Sequence, residues 1–470
     1  MTPSAPLAPN ARIHCVGIGG FGINPIARVM HQLGYTISGC DRNESPLVAP
    51  LREMGISIEI GHDAAHLDTF TPDALLISSA VMPDCPEVVE AARRGIPVYK
   101  RSDILGQLMQ DRVGVAVAGT HGKTTTTSMI AWTLDACGLD PTFIIGGVSK
   151  DLGTNARAGK GSAFVIEADE YDRMFMGLKP KIAVLTSLEM DHPDMFNNLD
   201  EVRALFIEFV DLLPDDGLLI GCVDDEEVYA LIRRRIGQGR PTLGYGLTGG
   251  LWHARGVKTS AKGGAQFEVV HTTGVGPKGP SDERNLVTLT LPGQHNVQNA
   301  LAALAVADQL GLDTDKAIEA LGRFTGTGRR FEVKGEVGGV TVIDDYAHHP
   351  TAIKATLEAA RSRYPDRAIW AVWQPHTYRR TKALLDEFAA SFGSADHVII
   401  TDVYQSRDAH DYGVSVQDVL DRMSHPDARH IGAQGDVTNY LAKNVKSGDV
   451  VIVMSAGDAT KIGDDLLRQL

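Results

Sequence analysis

Short apolar runs ending in glycine or polar residues recur along this chain, with amphipathic stretches between them. Ile13–Val16, Thr36–Gly39, Ala74–Ser79, Pro97–Lys100, Val113–Ala118, Ala163–Ile166, Lys181–Thr186 and Gly217–Gly221 have strand length and strand composition. Val340–Asp345, Ala368–Trp373, His397–Asp402 and Val450–Met454 repeat the pattern near the C-terminus. Helical spacing of apolar positions predicts helices over Pro25–Leu33, Pro86–Arg94 (stopped by Gly95), Thr124–Leu134, Val202–Leu213 and Ala300–Leu310. Strands alternating with helices specify parallel α/β sheets. Between Gly246 and about Asn285, glycine and lysine alternate with apolar residues, which predicts a peripheral antiparallel hairpin or meander. At 470 residues the chain is too long for one core. We expect three α/β domains: a Rossmann-like unit over 1–110, a P-loop ATPase-type unit over 111–324 and a second Rossmann-like, doubly wound unit over 325–470.

The stretch Val113–Ala131, VGVAVAGTHGKTTTTSMIA, organises the rest. It reads as a buried strand, a turn bracketed by Gly119 and Gly122, then a helix. Such a turn aims backbone N–H groups and a helix N-terminus at one point, which suits phosphate oxygens. Gly119, Thr120, His121, Gly122, Lys123, Thr124 and Thr125 form the expected cradle, with Lys123 reaching the terminal phosphates and the Thr124 hydroxyl available to Mg²⁺. The core G-T-H-G-K-T is shorter than the standard P-loop, which would have its first glycine at Val117.

Other chemistry collects at the ends of the predicted strands. Gly17-Ile-Gly19-Gly20-Phe-Gly22 followed by Asp41 is a dinucleotide-fold fingerprint; the glycines permit close approach to a pyrophosphate, and Asp41 can accept from a ribose hydroxyl. The pattern marks a βαβ unit before it marks any one nucleotide. Ser78 and Ser79 follow a strand and either face a ligand or cap the next helix. Glu167, Asp169 and Glu170 cluster after one strand, with Glu167, nearest the strand end, the best metal ligand; Ser187–His192 follow another, and His192 is a second-metal or orienting candidate. Asn296 and Asn299 share a helical face, suited to reading an adenine edge or to an N-cap. Arg329 and Arg330 make a basic crossing into the last domain, where D-D-Y-A-H-H-P and Q-P-H-T-Y-R-R load the strand ends; His348, Arg379 and Arg380 suit an acidic or zwitterionic substrate.

Composition narrows the classes. The chain is 43% hydrophobic and 22% charged, ordinary for a globular protein, and its net charge of −14 argues against general affinity for nucleic acid or anionic membrane. No run of 18 apolar residues occurs and the N-terminus lacks an apolar signal core, so membrane insertion is not expected. Cys15, Cys40, Cys85, Cys137 and Cys222 lack CxxC spacing; they read as reduced packing residues in a cytoplasmic protein, with neither zinc site nor disulfide framework indicated.

Taken together, H-C-V-G-I-G-G-F-G, A-G-T-H-G-K-T-T-T, G-T-N-A-R (Gly153–Arg157), E-A-D-E-Y, D-H-P-D, H-N-V-Q-N-A-L-A-A, R-R-F-E, D-D-Y-A-H-H-P-T and Q-P-H-T-Y resemble, in order and over nearly the whole chain, the Mur ligases of peptidoglycan synthesis. The resemblance is strongest to the branch that adds L-alanine to UDP-N-acetylmuramate. It implies ATP with Mg²⁺ (Mn²⁺ as a substitute), an acyl-phosphate intermediate, and a monomer or homodimer. It assigns UDP, not a nicotinamide cofactor, to Gly19, Gly20, Asp41, Ser78 and Ser79. Lys123 would contact the ATP phosphates, Thr124 and Glu167 would hold one Mg²⁺, and His192 a second. Asn296 and Asn299 would bind adenine, with Arg329 and Asp344 approaching the nucleotide. Thr154 and Asn155 would face the muramoyl group, while Tyr346, His348 and Arg380 would position the amino acid. Thr377 stands where some L-alanine ligases carry arginine. Glu170–Asp172 and Ala347 resemble the related ligase that recycles the tripeptide L-Ala-γ-D-Glu-meso-diaminopimelate, the alternative within the family.

Overall fold

The computed structural model describes residues 6–276, 279–406 and 408–470; side chains of 273–281 are not described. Three sheets follow one another along the chain. The first has β1 (Arg12–Val16), β2 (Thr36–Asp41), β3 (Ser57–Ile60), β4 (Ala74–Ile77) and β5 (Val98–Lys100) in the order β3-β2-β1-β4-β5, all parallel. The second has ten strands: β6 (Val113–Ala118), β7 (Thr142–Ser149), β8 (Thr154–Arg157), β9 (Ala163–Glu167), β10 (Ile182–Leu185), β11 (Leu218–Cys222), β12 (Thr242–Gly246), β13 (Trp252–Thr259), β14 (Ala265–Gly276) and β15 (Gly279–Thr288). Their order is β15-β14-β13-β12-β11-β10-β6-β9-β7-β8. The third has β16 (Glu332–Val337), β17 (Val340–Asp345), β18 (Ile369–Trp373), β19 (His397–Ile400), β20 (Ala428–His430) and β21 (Val450–Met454), ordered β16-β17-β21-β18-β19-β20 and parallel except at β16.

The near-continuous apolar strands are buried on both faces, as parallel strands under helices must be. Val115 and Val117 pack on one side of β6 with Met129, Ile130 and Leu134; Ala116 and Ala118 face the other with Phe206 and Phe209. Strand order then places chemistry. In each sheet a central strand lies between two parallel neighbours, and the carboxyl ends of all three gather at one edge, where open α/β sheets place ligands. Beside β6 those neighbours are β9 and β10, so Glu167 and the loop from Thr186 to His192 flank the glycine turn. Beside β1 they are β2 and β4, which deliver Asp41 and Ser78. Beside β21 they are β17 and β18, ending at Asp345 and Trp373.

Three local outcomes differ from the sequence reading. The glycine-lysine stretch is antiparallel, but β13 also pairs in parallel with β12, so it extends the central sheet instead of standing apart; positions 277 and 278 lie outside the described residues. The helix expected from Ala300 already begins at Gln294, carrying Asn296 and Asn299 within it, and Gly293 is its N-cap. Ser78 and Ser79 cap nothing, because the next long helix starts at Pro86 behind Cys85.

Candidate active site

Gly119 and Gly122 take φ of +135° and +78°, and the backbone between them wraps the N-terminus of the helix Lys123–Ala136. A Cβ on Gly119 would overlap Thr186 Oγ1 and approach the Ser187 backbone at 2.8 and 2.9 Å. Glycine is therefore required by sterics as well as by φ. Lys123 curls over the loop: its Nζ donates to the Gly119 carbonyl at 2.6 Å and pairs with Glu170 at 2.9 Å. Burial works against this ammonium, but Glu170 and Asp169 outweigh it and hold the pKa above the usual lysine value. Thr124 Oγ1 donates to Glu167 Oε1 at 2.9 Å, while Glu167 Oε2 accepts the Gly146 N–H at 2.6 Å. Burial pushes Glu167 up from the ordinary carboxylate range.

His192, at φ +52°, puts Nε2 3.6 Å from Glu170 and 3.8 Å from Asp191; its Nδ1 is buried without a partner. Burial disfavours the imidazolium, yet the bond to Glu170 and the charge of Asp191 raise His192 above its ordinary pKa. Asp191 in turn accepts from Arg380 Nε at 2.8 Å, with both side chains almost fully buried. Despite burial, Arg380 and His192 hold Asp191 well below the carboxylate range. This pair ties the loop after β10 to the short helix Tyr378–Ala383 of the third sheet. Thr377, at φ +67°, caps that helix through Oγ1, accepting from the Arg380 N–H at 3.3 Å, which a larger basic side chain would not do.

Further links cross between the second and third sheets. Arg330 donates to Thr124 Oγ1 at 3.2 Å. The guanidiniums of Arg329 and Arg330 stand 5.0 and 4.5 Å from the Tyr346 ring centre, and Arg329 pairs with Asp344 at 3.4 Å. Asp344 Oδ1 is buried without a partner, and burial raises this carboxyl to about 6. His121, in the glycine turn, bonds Glu189, which also meets His349 at 3.3 Å and Thr351 at 2.9 Å. His348 donates through Nδ1 to the Tyr346 carbonyl at 2.8 Å; burial and Arg380 drive its pKa well below the ordinary value, so it is a neutral imidazole.

The remaining expected residues form two outlying groups. Gly19 N–H donates to Asp41 at 2.8 Å, and Ser78 lies under Gly17. Arg101 packs against Gly22, and a cleft continues from Ser79 past Lys100, Arg101 and Asp103 to Asp172 and Arg173. Thr154 and Asn155 lie on β8, which borders the first domain's helix Asn24–Gln32; the Asn155 amide nitrogen is buried and unpartnered. Asn296 and Asn299 are turned inward: Asn299 accepts from Thr126 at 2.9 Å and donates to Asn296 at 3.2 Å, which donates to the Pro292 carbonyl at 2.7 Å. Sequence reasoning did not single out Glu170 as Lys123's partner, nor Asp191, Glu189 and His349 as bridges. Each stands in a polar run after a strand, but only the fold reveals which runs meet.

Comparisons with known proteins match the chain segment by segment. Residues 12–113 match the Mur ligase family catalytic domain, 117–307 the Mur ligase middle domain, and 329–457 the Mur ligase glutamate ligase domain. The chain is 40% identical to the UDP-N-acetylmuramate–L-alanine ligase of Geotalea daltonii, over 98% of each chain. Among solved structures it resembles the UDP-N-acetylmuramate-alanine ligase of Thermotoga maritima (TM-score 0.79, 28% identity, 98% of this chain and 99% of that one). It also resembles a murein peptide ligase from Psychrobacter arcticus (TM-score 0.70, 30% identity, 98% of each chain). With three consecutive segments matched around one phosphate loop, and a relative aligned almost end to end, the chain belongs to the Mur ligase family.

Proposed function

We propose that this chain joins L-alanine to the carboxylate of UDP-N-acetylmuramate at the expense of ATP, a step of peptidoglycan synthesis in the cytoplasm. The observation that carries the reading is the Asp191–Arg380 pair, which sets a guanidinium of the third sheet against the carboxylate and imidazole corner of the phosphate loop. L-Alanine as the acceptor is supported by the 40% identity to the Geotalea enzyme. The reading assigns the UDP-sugar to residues 1–110, ATP to 111–324 and the amino acid to 325–470, so one copy of the chain carries a complete set of groups.

The residues present fit ATP and a divalent cation. The glycine cradle has no room for side chains, Thr124 and Glu167 converge oxygen donors beside it, and His192 leaves its Nδ1 buried and unpartnered. Oxygen donors of this kind suit Mg²⁺, with Mn²⁺ as the softer substitute. Thr124 and Glu167 would hold one ion and His192 a second; bound there, the ions neutralise phosphate charge and so favour transfer to a carboxylate. Lys123 exchanges Glu170 for phosphate oxygens, and Arg329 approaches the nucleotide from the linker. Gly19, Gly20, Asp41, Ser78, Ser79 and Arg101 cradle the UDP end, and Thr154 and Asn155 face the sugar.

The sugar carboxylate is a poor electrophile until it accepts the terminal phosphoryl group, which makes it an acyl phosphate. The amine of L-alanine, once deprotonated, then attacks the carbonyl, and phosphate leaves from the tetrahedral adduct. Arg380 holds the amino-acid carboxylate. His348, neutral and next to Tyr346, takes or directs the amine proton. The three substrates approach from separate domains, so closure accompanies ATP binding.

The test is ADP release with UDP-N-acetylmuramate, ATP and Mg²⁺, offering L-alanine and L-Ala-γ-D-Glu-meso-diaminopimelate separately. Turnover with alanine is expected. Turnover with the tripeptide alone would overturn the acceptor and leave the ATP chemistry standing; silence with both would overturn the substrate reading.

A further inference from the structure

The first domain holds a second cluster of reactive side chains, on the sheet face away from its main core. Parallel pairing sets His14 of β1 opposite Ser38, and Val16 opposite Cys40 of β2, so all four share one face. The helices His66–Phe70 and Pro86–Arg94 cover that face with Leu67, Val88 and Ala91. In this small apolar layer sits Glu87, whose side chain has no exposure to solvent. No lysine or arginine pairs with it among the described residues. Its Oε1 meets Cys40 Sγ at 3.1 Å, His66 Nδ1 at 2.9 Å, His62 Nδ1 at 3.3 Å and the Asp63 N–H at 3.0 Å; its Oε2 accepts from Cys85 Sγ at 2.9 Å.

Two thiols, two imidazoles and a backbone N–H thus converge on one buried carboxylate, a donor set that also contains soft metal ligands. A second observation concerns His14. It is 2% exposed, its Nδ1 bonds Ser38 Oγ at 2.8 Å, and its Nε2 is buried with no partner. One donor atom each from His14, Cys40, His66 and Glu87 lies within 4.8 Å of every other. Ligands around a tetrahedral ion stand about 3.3–3.8 Å apart, so a contraction of about 1 Å through side-chain torsions closes the set.

We infer that His14, Cys40, His66 and Glu87 form a binding site for a thiophilic divalent cation of the Zn²⁺ class, distinct from the ions at the phosphate loop. Two imidazoles, a thiolate and a carboxylate are borderline ligands that suit Zn²⁺ or Co²⁺ and not Mg²⁺. The charges balance: the cation enters, the Cys40 thiol proton leaves to solvent, and thiolate plus carboxylate neutralise the ion. The carboxylate then has the counter-charge that the apolar layer lacks. The four ligands come from two strands and two helices, and Cys85 and His62 close the shell. The site lies directly behind the glycine loop, because the Cys40 carbonyl accepts the N–H groups of Gly17 at 2.8 Å and Ile18 at 3.1 Å.

The experiment is Co²⁺ titration of the full, untagged chain after chelator treatment, read by absorption, followed by Zn²⁺ competition. One equivalent should produce a thiolate-to-cobalt band and tetrahedral d–d bands, both erased by Zn²⁺. The sulfur-free group His121, Glu189 and His349 cannot give that band. Cys40→Ser should abolish it and weaken metal binding by at least about 100-fold, given that even outer-shell changes cost 10–100-fold. Cys137→Ser and Cys222→Ser should leave it intact. Zn²⁺ at about 100 times its dissociation constant should raise the first domain's Tm by about 5 °C or more in the parent and not in Cys40→Ser, which separates lost binding from lost folding. No sulfur band at one equivalent, or a band that survives Cys40→Ser, overturns the assignment.

Discussion

Replacing Glu167 by glutamine separates what this residue does for the fold from what it does for the reaction. Its two oxygens face different groups: Oε1 takes the Thr124 hydroxyl at 2.9 Å and Oε2 takes the Gly146 N–H at 2.6 Å. The space is tight, since a Cβ on Gly146 would come within 2.5 Å of Oε2. Glutamine has the same shape and can keep its carbonyl on Gly146 while its amide donates to Thr124 Oγ1. The exchange turns two bonds to a charged acceptor into two neutral ones, a loss of about 1 kcal/mol. Against that, burial already disfavours the ionised carboxylate, so removing the charge returns part of the loss. The net change in stability should stay within about 1 kcal/mol.

Function should respond very differently. If Glu167 ligates the divalent ion, the amide removes the one formal negative charge that β9 supplies there. Outer-shell substitutions cost 10–100-fold in metal affinity, so loss of a ligand should shift half-saturating Mg²⁺ at least about 100-fold upward. That shift corresponds to about 2.8 kcal/mol. The assay is the initial rate of ADP release across a Mg²⁺ series at fixed ATP, UDP-N-acetylmuramate and L-alanine, with urea denaturation of the same preparations. A half-saturation within threefold of the parent would refute the ligand assignment. A uniform loss of rate at every Mg²⁺ concentration, with unchanged half-saturation, would also refute it.

Gly119→Ala should weaken ATP binding more than tenfold in a fluorescent-nucleotide titration, because strain at φ +135° (about 1–3 kcal/mol) adds to overlap with Thr186 and Ser187. Gly138→Ala, at φ +88° with nothing within 4 Å, should cost about 1 kcal/mol of stability and leave ATP binding unchanged. Asp344→Asn should stabilise the third domain at pH 8. The folded carboxyl titrates near 6 against 3.8 in the open chain, so the ionised form is penalised above pH 6 and relieved as pH falls through 6 towards 4. The variant's advantage is therefore about 2–3 kcal/mol at pH 8 and vanishes near pH 4, read as Tm against pH. Asp191→Asn and Arg380→Met should each cost about 3–5 kcal/mol, and the double variant much less than their sum, because each single change strands a buried charge. Additive losses in denaturation of the three variants would show that the pair is not coupled.

The elements were legible because parallel strands buried on both faces leave unbroken apolar runs. Val113–Ala118, Val340–Asp345 and Val450–Met454 have the same ends in sequence and structure, and Pro86–Arg94 is stopped by Gly95 at φ +74° as its position suggests. The start of the Asn296 helix was missed because its first turn, Gln294-His-Asn, is polar and polar residues carry no helical period. The glycine turn was legible as a contiguous motif. The cluster around Glu87 was not, because its thiols and imidazoles come from separate elements at spacings that match no zinc signature.

The same limit explains the active site. Motifs at strand ends predict that polar residues reach one edge of each sheet, since a parallel sheet gathers its carboxyl ends there. They do not predict which edge faces which. Asp191 and Arg380 are 189 residues apart, His121 and Glu189 are 68, and Thr124 and Arg330 are 206. Those distances cross a domain boundary in two of the three pairs, so the information lies in how the domains dock. Docking here depends on a buried charge that needs a partner from the other domain: Asp191 without Arg380 would be an uncompensated carboxylate in a dry crevice. Arg380 belongs to the groups that the proposed chemistry needs for the amino acid. The arrangement that holds the second and third sheets together without substrate is therefore one that substrates must partly exchange. On the proposed reading, that exchange, and not flexibility in general, couples closure to ligand binding.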